Sequence, residues 1–221
     1  MEIEEYIKTL PEGACRPCGK GRYSLIARTK LGDVSAEQLD VINGVVKEFG
    51  LPGIRVTGKQ SIQLLDIPVN HLQDVVERLG NIGDTCKYFV QACPGTRACR
   101  LGMQDSFAFA AKLRDFLNTF DLPAKLKSGV AGCSMCCAEP FVRDIGLVGT
   151  KKGWTVVFGG NAGKTVRKAD VLGEGLNEEE AFAVIGKALD FYRENAKKKE
   201  RTARFVERVG FDAVLEAIHG S

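Results

Sequence analysis

The sequence predicts an α+β fold, a small sandwich module followed by a mixed α/β module with C-terminal helices. Three observations predict it. Early in the chain, apolar spacing runs in the order strand, helix, strand, strand, helix. Farther on, a helix-period stretch is followed by three short strand-like runs and a glycine-rich turn. The last part carries helix-period patterns alone. With 221 residues and 44% hydrophobic content, the chain can bury one or two real cores.

Residues 23–30 (YSLIARTK) read as a strand, with Leu25, Ala27 and Thr29 on one face. Ser35-Ala36-Glu37-Gln38 is a capping-box signature. Behind it Leu39, Ile42, Val45, Val46 and Phe49 recur at helical spacing, and Gly50 supplies the stop. Residues 53–57 and 62–67 are short apolar runs that read as a strand pair. Asn70 is expected to cap a second helix carrying Leu72, Val75, Val76 and Leu79, ended by Gly80. This order opens a ferredoxin-like α+β sandwich. It is placed at residues 20–82, after an N-terminal extension at residues 1–19.

The second module opens on a cysteine-bearing loop. A helix is expected over residues 104–120, with Phe109, Leu113, Phe116, Leu117 and Phe120 as its buried stripe and Leu122-Pro123 ending it. Residues 125–130, 145–149 and 154–158 read as strands, and Gly159-Gly160-Asn161-Ala162-Gly163 as a turn. Asn177, followed by three glutamates, caps a helix carrying Phe182, Ile185, Leu189 and Tyr192. The charge run at residues 197–201 is expected to be a solvated helix surface. Short apolar helices around Phe205-Val206-Val209 and Val214-Leu215-Ile218 close the pattern. The domains so drawn are 83–172 and the C-terminal helices 173–221, with no internal repeat and no low-complexity linker.

Composition narrows the function. A net charge of +3 gives little support to nucleic-acid binding. No run of about 20 apolar residues suggests a membrane span. The N-terminus, Met1-Glu2-Ile3-Glu4-Glu5, is acidic and does not read as a secretory signal, so a cytoplasmic protein is expected. Eight cysteines in such a chain point to metal or redox chemistry rather than a disulfide scaffold. Only two histidines, His71 and His219, are available, so thiolate ligation of iron is better supplied than imidazole ligation.

The cysteines are spaced Cys93-x₅-Cys99 and Cys133-x₃-Cys137. Four thiolates suit an iron–sulfur cluster, and Pro94, Gly95, Gly129, Ala131 and Gly132 leave room for backbone to approach a bulky group. Cys15-x₂-Cys18 and Cys133-x₂-Cys136 together also form a zinc-ribbon pattern, which spacing alone leaves open. Cys86 and Cys136 read as small buried hydrophobes or unused thiols. Cys15 and Cys18 read the same way, with a redox dithiol or a partner contact as the alternative. Cations also recur at strand spacing. Arg28 and Lys30 share a face of one expected strand, and Lys125 and Lys127 a face of another. Paired cations suit an anion pocket and equally suit a solvated strand edge.

The flanks Ala92-Cys93-Pro94-Gly95-Thr96-Arg97-Ala98-Cys99-Arg100 and Gly132-Cys133-Ser134-Met135-Cys136-Cys137-Ala138-Glu139-Pro140 resemble the sirohaem-dependent nitrite and sulfite reductases. The resemblance spans residues 20–170 and is greatest to the small, single-repeat assimilatory-type sulfite reductases. It implies that Cys93, Cys99, Cys133 and Cys137 hold a [4Fe–4S] cluster, with Cys137 also ligating the sirohaem iron. Arg55-Val56-Thr57-Gly58-Lys59-Gln60-Ser61-Ile62-Gln63 matches the family's sirohaem motif, except that Lys59 stands where arginine is usual. A lysine keeps the charge and loses the bidentate fork. Met135 is a second departure, since some members place a polar residue there. Arg55, Thr57, Lys59, Gln60, Gln63, Arg97 and Asn161 are thereby implied as cofactor-binding. Lys30-Leu31-Gly32, with Arg28 ahead of it, and Pro123-Ala124-Lys125-Leu126-Lys127 match the family's substrate cations, and Lys87 is the nearest match for another. The implied activity is six-electron reduction of sulfite to sulfide. Nitrite reduction to ammonia and a non-catalytic sirohaem-binding protein are the alternatives. No nicotinamide or flavin motif is present, so an external donor such as a ferredoxin-like protein is expected, acting on a monomer or homodimer.

Overall fold

The computed structural model describes residues 2–220. The chain divides between Thr85 and Cys86 into two compact units. The first contains α1 (Ile3–Thr9), β1 (Cys15–Gly19), β2 (Arg22–Ala27), α2 (Ala36–Glu48), β3 (Ile54–Val56), β4 (Ile62–Pro68) and α3 (Leu72–Leu79). Its four-stranded sheet is antiparallel, in the order β1-β2-β4-β3. Strands β2 and β3 therefore flank β4 and are joined through α2, the split βαβ arrangement expected of a ferredoxin-like module.

One face of this sheet carries Leu25, Ala27, Ile62 and Leu64, which form a core with Ile42 and Val45 of α2 and Leu72 and Val75 of α3. Each fully buried aliphatic side chain contributes about 1.5–3 kcal/mol. Ile3, Ile7 and Cys15 pack against the same core, so much of residues 1–19 is part of the module. Two helix starts differ from expectation. Ser35 Oγ accepts from Gln38 N at 3.2 Å, but the Gln38 side chain donates to the Arg28 carbonyl instead of completing a capping box. Asn70 lies inside a 3₁₀ turn (Val69–His71), and α3 starts at Leu72 with no side-chain cap.

The second unit contains β5 (Phe89–Ala92), α4 (Ser106–Asn118), β6 (Lys127–Ala131), β7 (Ile145–Thr150), β8 (Gly153–Phe158), β9 (Asn161–Ala162), β10 (Val166–Arg167), β11 (Asp170–Leu176), α5 (Glu178–Asn195), α6 (Thr202–Val209) and α7 (Phe211–His219). Its five-stranded sheet has the order β11-β8-β7-β6-β5. Strands β5, β6 and β7 are parallel, whereas β8 and β11 run antiparallel to their neighbours. Phe109 of α4 stacks on Phe182 of α5 with ring centroids 4.7 Å apart and meets Trp154 of β8 at the same distance. Asn177 and Glu180 form a complete capping box at the start of α5. Residue 173, expected to begin the helical part, lies inside β11.

Residues 197–201 are not a helix surface but the turn between α5 and α6. Glu200 and Arg201 are used. Arg201 pairs with Asp144, which is 1% exposed, and Thr202 Oγ1 donates to the same carboxylate at 2.5 Å. Arg208 donates to Glu200 at 2.7 and 2.9 Å and holds that carboxyl down to about 2. A carboxyl depressed on folding stabilises fully above its ordinary value of 4.5 and loses that contribution as pH falls toward 2. Stability of the native chain is therefore expected to fall across that window, and Glu200→Gln should flatten this part of the curve. Denaturation midpoints measured from pH 5 downward (on the order of half-unit steps) check it; superimposable curves would remove Glu200 from the account.

Candidate functional site

Both cysteine pairs begin where a strand ends. Cys93 follows β5 directly, and Cys133 follows β6 after one residue, Gly132. The two strands are parallel neighbours in the register Ala92↔Val130, and Cys93 N donates to Val130 O at 3.1 Å. Parallel neighbours present their carboxyl ends side by side, the usual place for ligand sites in such sheets. Loops far apart in sequence thereby meet.

They meet backbone to backbone. Gly132 O accepts from Met103 N at 2.8 Å and Gln104 N at 3.1 Å, and Thr96 N donates to Gln104 O. A Cβ on Gly132 would lie 2.7 Å from Gly95 Cα, and one on Gly102 would lie 2.5 Å from the Gly95 carbonyl carbon. Gly132 was expected to admit a bulky group; here its missing side chain admits the other cysteine loop. Cys93 Sγ accepts from Gly132 N at 3.1 Å and lies 3.4 Å from Ser106 Oγ. Cys133 is buried, Cys93 and Cys99 are partly buried, and Cys137 is exposed. Burial, followed by the neighbouring Cys133, Cys137 and Cys93, pushes the Cys136 thiol up.

Cys137 occupies the second position of a turn closed by Glu139 N donating to Cys136 O at 2.8 Å. The first and last residues of the turn are left-handed, with φ 55° at Cys136 and 54° at Glu139. Non-glycine residues in this region cost about 1–3 kcal/mol each, and such strain concentrates at functional sites. The turn is seated on β6. A Cβ on Gly129 would lie 2.3 Å from Ala138 O, and one on Gly146 of β7 would lie 2.2 Å from Pro140 O. Lys127, two residues before Gly129, projects from the same face of β6. Its backbone N–H donates to buried Asp144 at 2.8 Å, while its side chain is exposed.

The other expected residues fall as follows. Lys125 is exposed but lies outside β6. Lys87 Nζ donates to Phe120 O at 3.3 Å, beyond the C-terminal end of α4, where a cation complements the helix dipole. Arg97 lies over the Phe107 ring, 3.9 Å from its centroid. Asn161 Nδ2 donates to Thr165 O at 2.6 Å, so its amide closes the β9–β10 turn.

In the first unit, Arg28 and Lys30 lie beyond β2, not within it. The Arg28 guanidinium donates to the carbonyls of Ile82 and Gly83 at 3.0 and 3.3 Å. Lys30 opens a tight turn over Leu31 and Gly32, whose φ values are 54° and 94°. That turn rests on Gln60, with Thr29 Oγ1 donating to Gln60 O at 2.7 Å. Thr57 Oγ1 accepts from Lys59 N and Ser61 N and so organises the Thr57–Ser61 turn. Arg55 pairs in register with Gln63, on the sheet face opposite Leu64, and Gln63 Nε2 donates to Ser24 Oγ at 2.9 Å. This unit therefore gathers Lys30, Lys59 and Gln60 at adjacent turns and Arg55 and Gln63 on one sheet face.

Cys15 packs into the first core, and burial, reinforced by Cys18, pushes its thiol up to about 11. Cys15 therefore stays protonated near neutral pH and is itself a poor nucleophile. Among the described residues no three His, Cys, Asp or Glu side chains are gathered for a single metal ion. Cys133, Cys137 and Cys93 all lie within electrostatic reach of Cys136, and the loop that carries Cys99 is hydrogen-bonded to the Cys133 loop through Gly132 O, so the four thiols stand on two joined loops. Arg143, which sequence reasoning missed, lies beside the Cys137 turn with its side chain 12% exposed; its only sequence signal was a cation six residues beyond Cys137.

Residues 17–82 match the nitrite/sulfite reductase ferredoxin-like half domain, and residues 83–220 the nitrite and sulphite reductase 4Fe-4S domain. The chain is 39% identical over 214 residues to an assimilatory-type sulfite reductase of Nitratidesulfovibrio vulgaris, covering 95% of this chain and 98% of that one. It is 34% identical to a nitrite reductase [NAD(P)H] of Bacillus subtilis over 90% of this chain, but spans only 25% of that relative. Among solved structures, Mycobacterium tuberculosis NirA matches with a TM-score of 0.76 at 22% identity, over 93% of this chain and 41% of that one. Dissimilatory sulfite reductase I matches with a TM-score of 0.71 at 16% identity, over 89% of this chain and 69% of that one. These two likenesses concern the fold.

Gly129→Ala is expected to destabilise the chain by about 1–3 kcal/mol, because the new methyl meets a backbone carbonyl rather than a yielding side chain. Its thermal midpoint should fall by about 3–10 °C. An unchanged midpoint would mean that the Cys137 turn is not seated on β6.

Proposed function

The chain belongs to the nitrite and sulphite reductase family of iron–sulfur and sirohaem oxidoreductases, and from that premise we propose that its own reaction is six-electron reduction of sulfite to sulfide. The observation that carries this reading is the likeness to a sulfite reductase along nearly the whole of both chains. Nitrite reduction to ammonia is the same chemistry on a second small anion, and the ratio of the two specificity constants decides between them.

Cys93, Cys99, Cys133 and Cys137 would hold the cluster, with the exposed Cys137 also reaching the sirohaem iron. When bound, the coupled centre would relay electrons from the external donor and supply the iron on which the anion is reduced. The remaining work falls to side chains. Lys127 is held at its backbone by Asp144 and leaves its ammonium exposed on the sheet face that seats Cys137. It would neutralise the anion and donate protons as oxygen leaves, with Lys125 beside it. Fixed cations aimed at developing charge are commonly the largest catalytic contribution. Arg28 and Lys30 are proposed for the same anion from the first unit. Lys87 is the weakest member of the set, since its ammonium already serves Phe120 O. Arg55, Lys59, Gln60 and Gln63 would meet the carboxylates of the macrocycle, together with Thr57, Arg97 and Asn161. Thr57 and Asn161 already spend polar groups on their own turns.

Electrons would come from an external donor of ferredoxin-like class, in the cytoplasm, to a monomer or homodimer. No helix among the described residues is long and apolar enough to cross a membrane.

Anaerobically purified protein should carry about five irons per chain, four with acid-labile sulfide and one in the macrocycle. It should reduce sulfite with reduced methyl viologen. Lys127→Ala should retain the absorption spectrum and lose roughly 10²-fold in turnover. A colourless, iron-free preparation from sirohaem-competent cells ends the reading, and full activity in the variant removes Lys127 from it.

A further inference from the structure

We infer that Arg143 is a positioning residue, a latch that fixes the Cys137 turn against the strand leading into the other cysteine pair. The inference rests on the assignment of Cys137 proposed above. Arg143 Nη2 donates to Glu139 Oε2 at 2.6 Å and to Gln91 Oε1 at 2.7 Å. Glu139 is the strained closing residue of the Cys137 turn. Gln91 lies on β5, paired with Gly129 of β6, two residues before Cys93. One guanidinium nitrogen therefore ties the turn that carries Cys137 to the strand that delivers Cys93.

The surroundings are shaped for this side chain. A Cβ on Gly129 would lie 3.0 Å from Arg143 Cγ, so the glycine makes room for its stem. The Phe89 ring centroid is 5.8 Å from Arg143 Cζ, on the same sheet face. Backbone contacts hold the base of the latch: Arg143 N donates to Pro140 O, and Gly160 N donates to Arg143 O at 2.8 Å. Among the described residues Arg143 Nε is buried without a hydrogen-bond partner. An ordinary exposed i,i+4 ion pair contributes little. This one differs because its second contact is anchored in the sheet.

Lysine carries charge but cannot form the two-ended contact from a planar fork. Holoenzymes bearing Arg143→Gln, Arg143→Lys and Glu139→Gln test the latch. The latch predicts iron and acid-labile sulfide contents equal to the parent, an altered Mössbauer and electron-paramagnetic-resonance signature of coupling between cluster and macrocycle iron, and turnover lower by roughly ten- to a hundredfold. Arg143→Lys should recover part of the signature. Glu139→Gln, which leaves the buried arginine paired with Gln91, should shift it in the same sense. If Arg143→Gln does not fold or load iron, Glu139→Gln alone decides. A parental signature in a fully loaded Glu139→Gln or Arg143→Gln protein overturns the latch while leaving the assignment of Cys137 intact. Iron absent from the parent protein overturns that assignment and the latch together.

Discussion

The parallel pairing of β5 with β6 is the constraint on which the second unit depends. Four consecutive register pairs, Phe89↔Lys127 through Ala92↔Val130, align the ends of the two strands. A parallel pair requires a crossover, and α4 supplies it, burying Phe109, Leu113 and Leu117 in the process. The same crossover forces the residues between β5 and α4 to lie over the carboxyl end of the sheet, next to those that follow β6. Cys93 and Cys133 are neighbours because of a backbone ladder and a helix core, and not because of any attraction between thiols. Shifting that register by one residue would turn Lys127 and Gly129 to the helix side and unseat the Cys137 turn.

Once the loops meet, their separation is set by what is missing from them. Gly95, Gly102 and Gly132 bring backbone within distances that a methyl group would forbid, and Gly129 and Gly146 do the same beneath Ala138 and Pro140. Close packing of this kind is stiff, because backbone atoms have no rotamers through which to yield. That stiffness allows two non-glycine residues, Cys136 and Glu139, to stay left-handed on either side of Cys137. The position of Cys137 is thus fixed by packing elsewhere in the loop, which is the general requirement for a site that must not relax on binding.

Much of this was legible in the sequence. The helical stripes of α2, α4 and α5, the strand pair β3–β4 and the spacing of the four cysteines stand out because each is a local pattern. What escaped is nonlocal. Strand β5 is only Phe89–Ala92, too short for its alternation to register, although the run Tyr88-Phe89-Val90 carried the aromatic and β-branched signal of a strand. Strand β1 contains Pro17 and a bulge, both of which erase period-two alternation. The roles of charged residues were least legible. Residues 197–201 read as a solvated surface because a charge run looks the same whether it faces water or, through Arg201, a buried Asp144. Lys87 and Asn161 likewise have local structural partners that a motif match does not reveal.

Asp144 shows how the two kinds of constraint join. Its carboxylate accepts the Lys127 backbone N–H, the Thr202 hydroxyl and the Arg201 guanidinium, and its own carbonyl accepts Gly159 N. An ion pair of this kind, a buried carboxylate with a guanidinium 32% exposed, adds little net stability compared with apolar packing. Its value here is geometric. It pins the first residue of β6, the glycine turn after β8 and the first turn of α6 to one point, directly beside Arg143. Neighbours in sequence thus divide the work: Asp144 fixes the strand from which Lys127 projects, and Arg143 fixes the turn from which Cys137 projects. In the proposed reaction Lys127 gives protons to an anion bound at the centre that Cys137 holds, so their relative position matters more than either position alone, and one dipeptide supports both.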